Sequence, residues 1–194
     1  LEFRRVLFRS KHCVDQDGRF FFHVTREGLP IRKRRYAFSE AFAAIAQAAY
    51  ARATGSDRAA ERAIDLFERF VFLNFTPGAV AAKFTDTRPL TGLASRMITL
   101  VTARELTENL GEQPGLNGWM ERVIGEIISL FVKPEERCVL ESVAPDGSIS
   151  DHFDGRMLNP GHAIEAAWFI MEEGRIRKDK ALVEEGCRML DWMW

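Results

Sequence analysis

Long helical segments that are apolar on most of their circumference constrain this chain more than any other feature of its sequence. The first of them, residues 36–52 (YAFSEAFAAIAQAAYAR), is rich in alanine and is followed by Thr54-Gly55, a typical helix end. Helices that are apolar nearly all round must be covered on more than one side, as in a double layer of helices. The pattern predicts helices over residues 36–52, about 57–73, 93–110, about 119–132, 160–173 and 178–194.

Short extended segments are predicted between these helices. Residues 20–24 have an alternating, aromatic-rich pattern typical of a strand, and a Gly-Leu-Pro turn follows them. Residues 138–148 (CVLESVAPDGS) are predicted to form a short strand and a turn. No repeat of fixed period is visible, so a regular solenoid is not supported. The sequence therefore predicts an all-α fold made of helix pairs with short β-hairpins between them.

Composition and charge exclude several classes of function. The 194 residues include 27 Lys and Arg against 28 Asp and Glu, a net charge of -1. The basic cluster at residues 32–35 has no basic stripe to extend it, so no nucleic-acid partner is expected. No apolar run approaches the roughly 18 residues of a membrane span, so no membrane partner is expected. Three cysteines without a CxxC pair favour reduced thiols in a cytoplasmic protein.

The two ends of the chain differ from its middle. Residues 1–10 (LEFRRVLFRS) match the translation of a common short-read sequencing adapter, so we expect a foreign scar that is disordered or loosely packed. At the other end, a helical pattern stops at Trp194 without a cap. We therefore expect residues 11–194 to be the central portion of a longer domain, truncated at both ends.

A titratable pair follows a strong helix start in residues 158–169 (LNPGHAIEAAWF). Asn159 is a good N-cap, and Pro160 suits the first helical position. His162 and Glu165, three residues apart in the first turns, then share one face of the helix and are the two catalytic candidates. Glu165 could orient the imidazole or hydrogen-bond a sugar hydroxyl.

The position of His162 favours acid–base chemistry. The positive end of a helix favours a neutral imidazole, the form that a general base needs, and also favours negative charge developing on a substrate oxygen. Phe169 is predicted to continue the face of His162 and Glu165. The residues predicted to point into the core instead are Ile164, Ala167, Trp168 and Met171. A purely structural histidine is the alternative, whereas the spacing of the four histidines favours no metal site.

Three blocks of the sequence resemble one known family. Residues 155–170 (GRMLNPGHAIEAAWFI) resemble the hallmark segment of the N-acylglucosamine 2-epimerase family. Residues 32–46 and 88–108 resemble two further blocks of that family, in family order. The resemblance covers about residues 11–194.

This resemblance implies a fold and a reaction. The family fold is an (α/α)6 barrel with its active site at one mouth, of which this chain would form a part. Its members epimerise or isomerise sugars without a redox cofactor, through deprotonation at the carbon beside the aldehyde of the ring-opened sugar. Two histidines act as base and acid; His162 matches one of them, and Glu165 matches the nearby glutamate. The family's catalytic arginine and second histidine would lie outside this chain, so the chain alone is expected to be inactive.

Further residues are candidates for binding the sugar. The resemblance makes Glu40 a pocket residue, and Arg88 is a candidate for the mouth of the barrel. Trp168 could stack on a sugar ring, with core packing as the alternative. Met97 stands where some related isomerases have a histidine, which favours an epimerase.

Other functions remain open at this point. An aldose–ketose isomerase on the same scaffold is one alternative, and a helical-barrel glycosidase using Asp151 and Asp154 is another. A non-catalytic module that binds a sugar or a protein is the third. N-acetylglucosamine, mannose, glucose and cellobiose are all compatible substrates, and a homodimer of the full-length protein is compatible with the sequence.

Overall fold

The computed structural model describes residues 2–33 and 37–194, and these residues are mostly helical, as predicted. The helices are α1 (Glu2–His12), α2 (Phe38–Thr54), α3 (Asp57–Phe75), α4 (Leu93–Leu110), α5 (Pro114–Glu126), α6 (Pro160–Arg177) and α7 (Lys180–Met193). The strands are β1 (His23–Val24), β2 (Pro30–Arg32), β3 (Thr91–Gly92), β4 (Val132–Lys133), β5 (Cys138–Val139) and β6 (Ser142–Val143). No helix within the described ranges combines the length and the apolar character that crossing a membrane requires.

Local capping residues set several of the helix ends that the sequence predicts. Gly55 follows α2 in the left-handed conformation, with φ of 69°, a position that glycine adopts without a steric penalty. Ser56 caps α3, because its side chain accepts a hydrogen bond from the backbone of Ala59. The bounds of α4 agree with the prediction. The predicted helix start at residue 36, and residues 34 and 35 of the basic cluster, lie outside the described residues.

Two parts of the prediction need correction. The fourth predicted helix begins earlier, at Pro114, and it ends in a π-helical turn (Ile127–Phe131) that leads directly into β4. Residues 2–10 form most of α1, so they are helical and not disordered, whereas the expected loose packing stays a prediction. The foreign origin of residues 1–10 stays a prediction.

The first of two compact units comprises residues 1–82 and 102–117. Here α2 packs against α3. The contact face of α2 is built from alanines, and Ala44 and Ala48 are fully buried. Phe70 of α3 is also fully buried, with its ring 6.4 Å from the ring of Phe38. Small alanine side chains of α2 thus allow the large ring of Phe70 on α3 to pack closely in this core.

The second unit comprises residues 83–101 and 118–194 and contains α6 and α7 packed against each other. Its strands form two short antiparallel pairs, β3 with β6 and β4 with β5. The backbone N–H of Val139 in β5 donates to the sulfur of Met193 at 3.3 Å, which ties β5 to α7. Short strands therefore connect the helices of this unit, as predicted.

A carboxylate with two arginine partners links two helices of the second unit. Glu126 at the end of α5 accepts hydrogen bonds from Arg96 Nε at 2.9 Å and from Arg122 Nε at 2.7 Å. Burial alone would raise the pKa of Glu126, but the hydrogen bonds and charges of Arg122 and Arg96 outweigh it, so the pKa lies below its usual value. A lowered pKa means that folding favours the ionised carboxylate.

Glu126→Gln should therefore lower the free energy of unfolding at pH 7 by about 1 kcal/mol, because the side chain is mostly buried but not fully desolvated. This contribution is present above the ordinary glutamate pKa of about 4.3 and is lost as the pH falls through the lower pKa of the folded state. Denaturant unfolding of both proteins from pH 7 down to about pH 3, below the ordinary glutamate pKa, measures the difference. Glu121→Gln, at an exposed glutamate of the same helix, is the control and should have little effect. A Glu126→Gln difference that stays constant or grows toward low pH would contradict the assignment.

Candidate functional site

The predicted helix start places His162 in the first turn of α6. The Asn159 side chain accepts a hydrogen bond from the His162 backbone N–H at 3.3 Å, and the Asn159 carbonyl accepts from Ala163 N–H at 3.0 Å. Pro160 occupies the first helical position. The predicted cap and the predicted proline position are both confirmed, so the backbone at His162 is fixed by local interactions.

A buried glutamate holds the imidazole of His162. Nδ1 of His162 lies 2.9 Å from Oε2 and 3.1 Å from Oε1 of Glu141. The Glu141 side chain is 10% exposed, whereas the His162 side chain is 39% exposed. One edge of the ring is thus bound to a buried carboxylate while much of the ring remains accessible.

The sequence prediction does not include Glu141 as the partner of His162. The two residues are 21 positions apart, and Glu141 belongs to no motif that spacing could identify. One feature of the sequence could have indicated Glu141: it is the single acidic residue in the otherwise uncharged segment CVLESVA, residues 138–144. A charged side chain inside such a segment requires a partner when it is buried, and here that partner is the imidazole.

The backbone of Glu141 is fixed on both sides. Its carbonyl accepts a hydrogen bond from the N–H of Leu93, the first residue of α4, at 3.0 Å, and its own N–H donates to the carbonyl of Met157 at 3.2 Å. The preceding residue, Leu140, forms a β-bridge with Leu158. Glu141 is therefore tied directly to the segment that leads into α6.

Ala167 of α6 is buried as predicted, but Phe169 and Trp168 are not arranged as expected. Phe169, predicted to share the face of His162, is 9% exposed, whereas Trp168, placed in the core by the same prediction, is 58% exposed. The reason is the position of α7, which packs against the side of α6 that contains Ala167 and Met171. Glu165 is exposed. Glu165 and Trp168 are therefore both accessible to a ligand.

Arg88 and Glu40 lie in different surroundings. Arg88 is exposed in a turn, and its backbone N–H donates to the Thr85 carbonyl at 2.9 Å. Glu40 is completely buried in the first unit, where Oε1 accepts from the backbone N–H of Phe20 at 3.0 Å and lies 3.4 Å from Nε of Arg19. Arg88 belongs to the same unit as His162, and Glu40 belongs to the other.

The two carboxylates of the glycosidase alternative are held by local partners. Asp151 pairs with Arg156, and Asp154 Oδ2 lies 3.5 Å from Nδ1 of His152. Gly155 is buried in a turn of 3-10 helix here, against the backbone of Ser150, with no room for a side chain. Both carboxylates thus have partners within their own loop, which supports a role in holding the structure of this polar loop.

The chemistry available in the described residues is that of acids, bases and aromatic rings. Within residues 2–33 and 37–194, no three His, Cys, Asp or Glu side chains converge in a way that could hold a metal ion. The three cysteines, Cys13, Cys138 and Cys187, are free thiols. Burial is the main cause that raises the pKa of Cys13 and of Cys138, so both favour the uncharged thiol.

Comparisons with known proteins identify relatives across nearly the whole chain. The model of the N-acylglucosamine 2-epimerase family matches residues 6–191. The N-acylglucosamine 2-epimerase of Bos taurus is 29% identical over 184 residues, which cover 94% of this chain and 42% of the bovine protein. The chain thus spans less than half the length of this curated relative.

Solved structures share the fold. The cellobiose 2-epimerase of Bacillus thermoamylovorans superimposes with a TM-score of 0.75 at 17% identity, over 94% of this chain and 50% of that one. A D-mannose isomerase superimposes with a TM-score of 0.68 at 10% identity, over 97% of this chain and 48% of that one. At these identities the likeness concerns the fold alone.

Proposed function

Because this chain belongs to the N-acylglucosamine 2-epimerase family, we propose that the protein is a sugar 2-epimerase in which His162 is one of two proton-transfer groups. The observation that carries this proposal is the imidazole of His162, which is partly accessible in the first turn of α6 and held by Glu141 at 2.9 Å. An oriented and accessible imidazole is what general acid–base catalysis requires.

The proposed step is removal of the C2 proton from the ring-opened sugar. The C2–H bond breaks, its electron pair moves into a cis-enediolate, and the proton bonds to the imidazole of His162. The amino end of α6, where this histidine lies, favours the negative charge that develops on the substrate oxygen. Return of a proton from the opposite face, by a second histidine that the family resemblance places beyond Trp194, inverts C2.

Accessible residues near the start of α6 supply proposed sugar contacts. Glu165 is proposed to bind a sugar hydroxyl, because it is exposed and does not have to orient the imidazole, a role that Glu141 fills. Arg88 stays a proposed contact at the mouth of the site. Glu40 stays a predicted contact as well, although its buried hydrogen bonds support a role in holding residues 19–20.

Trp168→Ala should raise KM for the sugar about fivefold to tenfold and change kcat less, because an aromatic face contributes roughly 1 kcal/mol of stacking beyond its buried area. The indole lies six residues beyond His162 on α6 and is exposed, so it is accessible for such stacking. Steady-state kinetics of the full-length protein measure the effect. Trp168→Phe keeps an aromatic face and should retain most of the affinity. An unchanged KM in Trp168→Ala would remove Trp168 from the site.

We also infer that the helices of this chain form about half of an (α/α)6 barrel. Support comes from the superposition of nearly all of this chain on about half of the cellobiose 2-epimerase. The family's arginine and second histidine would then come from other parts of the full-length protein. The chain alone should therefore show no measurable epimerisation.

A panel of sugars tests the proposed function in the full-length protein. N-acetylglucosamine, mannose, glucose and cellobiose are incubated separately, and the products are identified by NMR. Formation of the C2 epimer supports the proposal. Formation of a ketose would favour the isomerase alternative, which the shared fold of the D-mannose isomerase keeps open. Hydrolysis of cellobiose, or sugar binding without any product, would overturn it.

A further inference from the structure

We propose that Glu141 is a positioning residue that fixes His162 in the tautomer with hydrogen on Nδ1 and so leaves Nε2 as the atom that exchanges protons. Both carboxylate oxygens lie within hydrogen-bond distance of Nδ1, at 2.9 and 3.1 Å. An ionised carboxylate only accepts hydrogen bonds. Nδ1 must therefore donate, which in a neutral ring leaves the lone pair on Nε2.

The surroundings of Glu141 make this contact difficult to replace. Its side chain is 10% exposed, so water has little access to compete for the carboxylate. Its N–H and carbonyl are both bonded to neighbouring backbone, at Met157 and Leu93. The carboxylate therefore stays aligned with the ring without a conformational change, which is how pre-organised catalytic groups are held.

A β-bridge close to Glu141 also fixes its geometry relative to His162. The bridge joins Leu140, which directly precedes Glu141, to Leu158, which directly precedes the helix cap Asn159. Asn159 then caps α6 and sets the backbone position of His162. The backbone thus connects Glu141 to His162 through one β-bridge and one helix cap.

The consequence for catalysis rests on the proposed function. When Nε2 takes the C2 proton, the ring becomes an imidazolium with hydrogen on both nitrogens, and the Glu141 carboxylate lies beside its Nδ1 edge. Returning the proton from Nε2 restores the starting tautomer. Glu141 acts through His162 and does not have to touch the sugar. Glu165, which is exposed, remains available to the substrate.

Nitrogen-15 NMR of the histidine side chains tests the tautomer directly in the chain described here. The chain has four histidines, and the signals missing from His162→Asn identify those of His162. In the unaltered chain, at a pH where the nitrogen shifts show a neutral ring, Nδ1 of His162 should show the shift of a protonated nitrogen and Nε2 that of an unprotonated one. A protonated Nε2 with an unprotonated Nδ1 would overturn the proposal without reference to any variant.

Two variants then separate positioning from general structure. Glu141→Gln keeps the size of the side chain, but its amide can accept from or donate to Nδ1, so the two nitrogen shifts of His162 should move toward each other as the tautomers mix. Glu165→Gln is the matched control and should leave both shifts unchanged. Circular dichroism and thermal melting confirm that each variant is folded. A folded Glu141→Gln with the original tautomer would overturn the proposal.

Kinetics of the full-length protein give the second readout. Glu141→Gln should lower kcat at least about tenfold with little change in KM, because the ring loses its orientation and the sugar contacts survive. An unchanged kcat would overturn the positioning role. If the unaltered chain shows the Nδ1–H tautomer while the full-length protein converts no sugar, then the proposed function fails and the tautomer assignment stands. The two failures are therefore distinguishable.

Discussion

His162→Asn should lower the turnover of the full-length protein about a hundredfold to ten-thousandfold, the range typical of lost general acid–base catalysis. Asparagine is polar and of similar size, but it cannot take up the C2 proton. KM should change little, because the neighbouring contacts to the sugar survive. Steady-state rates with the sugar that the unaltered protein epimerises measure the effect.

A histidine-to-asparagine substitution outside α6 provides the control for His162→Asn. His152→Asn changes a histidine of the polar loop before α6 and should leave turnover within about twofold, a change of roughly 0.4 kcal/mol in the barrier. Glu165→Gln should cost less than His162→Asn, because Glu165 is proposed to bind the sugar and not to transfer the proton. Near-normal turnover in His162→Asn would make this histidine a structural residue of the helix start, and the base would have to be sought elsewhere.

Gly186→Ala should lower the free energy of unfolding by about 2 kcal/mol, even though alanine favours helices by about 1 kcal/mol over glycine. Gly186 lies where α7 packs closely on α6. A Cβ added there would lie 2.8 Å from the carbonyl oxygen of Ala167 and 3.0 Å from the backbone nitrogen of Met171. These are backbone atoms of the helix that carries His162, so the clash is relieved only by moving one helix relative to the other.

Gly118→Ala is the matched control for Gly186→Ala, because it makes the same substitution in a helix where no close packing opposes it. Gly118 is exposed in α5, and a Cβ there would meet nothing within 4 Å. Alanine should therefore stabilise the chain at this position by up to about 1 kcal/mol. Denaturant unfolding of the two variants should give changes of opposite sign. Stabilisation by both substitutions would show that α6 and α7 are not packed as closely as described.

The helical pattern predicts most of the fold because its signals are local. The end of α2 at Gly55 and the start of α6 at Asn159 depend on residues within one turn of the boundary. The early start of α5 and the helix at residues 2–12 are missed for different reasons. The start of α5 lies in a segment with two glycines, and residues 2–10 belong to the predicted foreign scar, for which the sequence predicts no helix.

The candidate site is predictable only where it lies within one segment. His162, Glu165 and Trp168 can be predicted as candidates because they belong to a single helix with a recognisable start. Glu141 is 21 residues away from His162, and the contact depends on how β6 and its neighbours pair. The exposure of Trp168 depends on which side of α6 is covered by α7. Non-local contacts of this kind leave no periodic signal in the sequence.

Incorporation of solvent deuterium at C2 tests the central claim most directly. The full-length protein is incubated with its sugar in deuterium oxide, and the label at C2 of the product is followed by NMR. In deuterium oxide the second histidine, which is proposed to return the proton to C2, carries deuterium, and the proton that His162 removes is lost to solvent because its imidazole is partly exposed. The account predicts deuterium at C2 of the epimer and a rate of incorporation that falls with turnover in His162→Asn. An epimer with only protium at C2, or an unaltered rate of incorporation in His162→Asn, would contradict it.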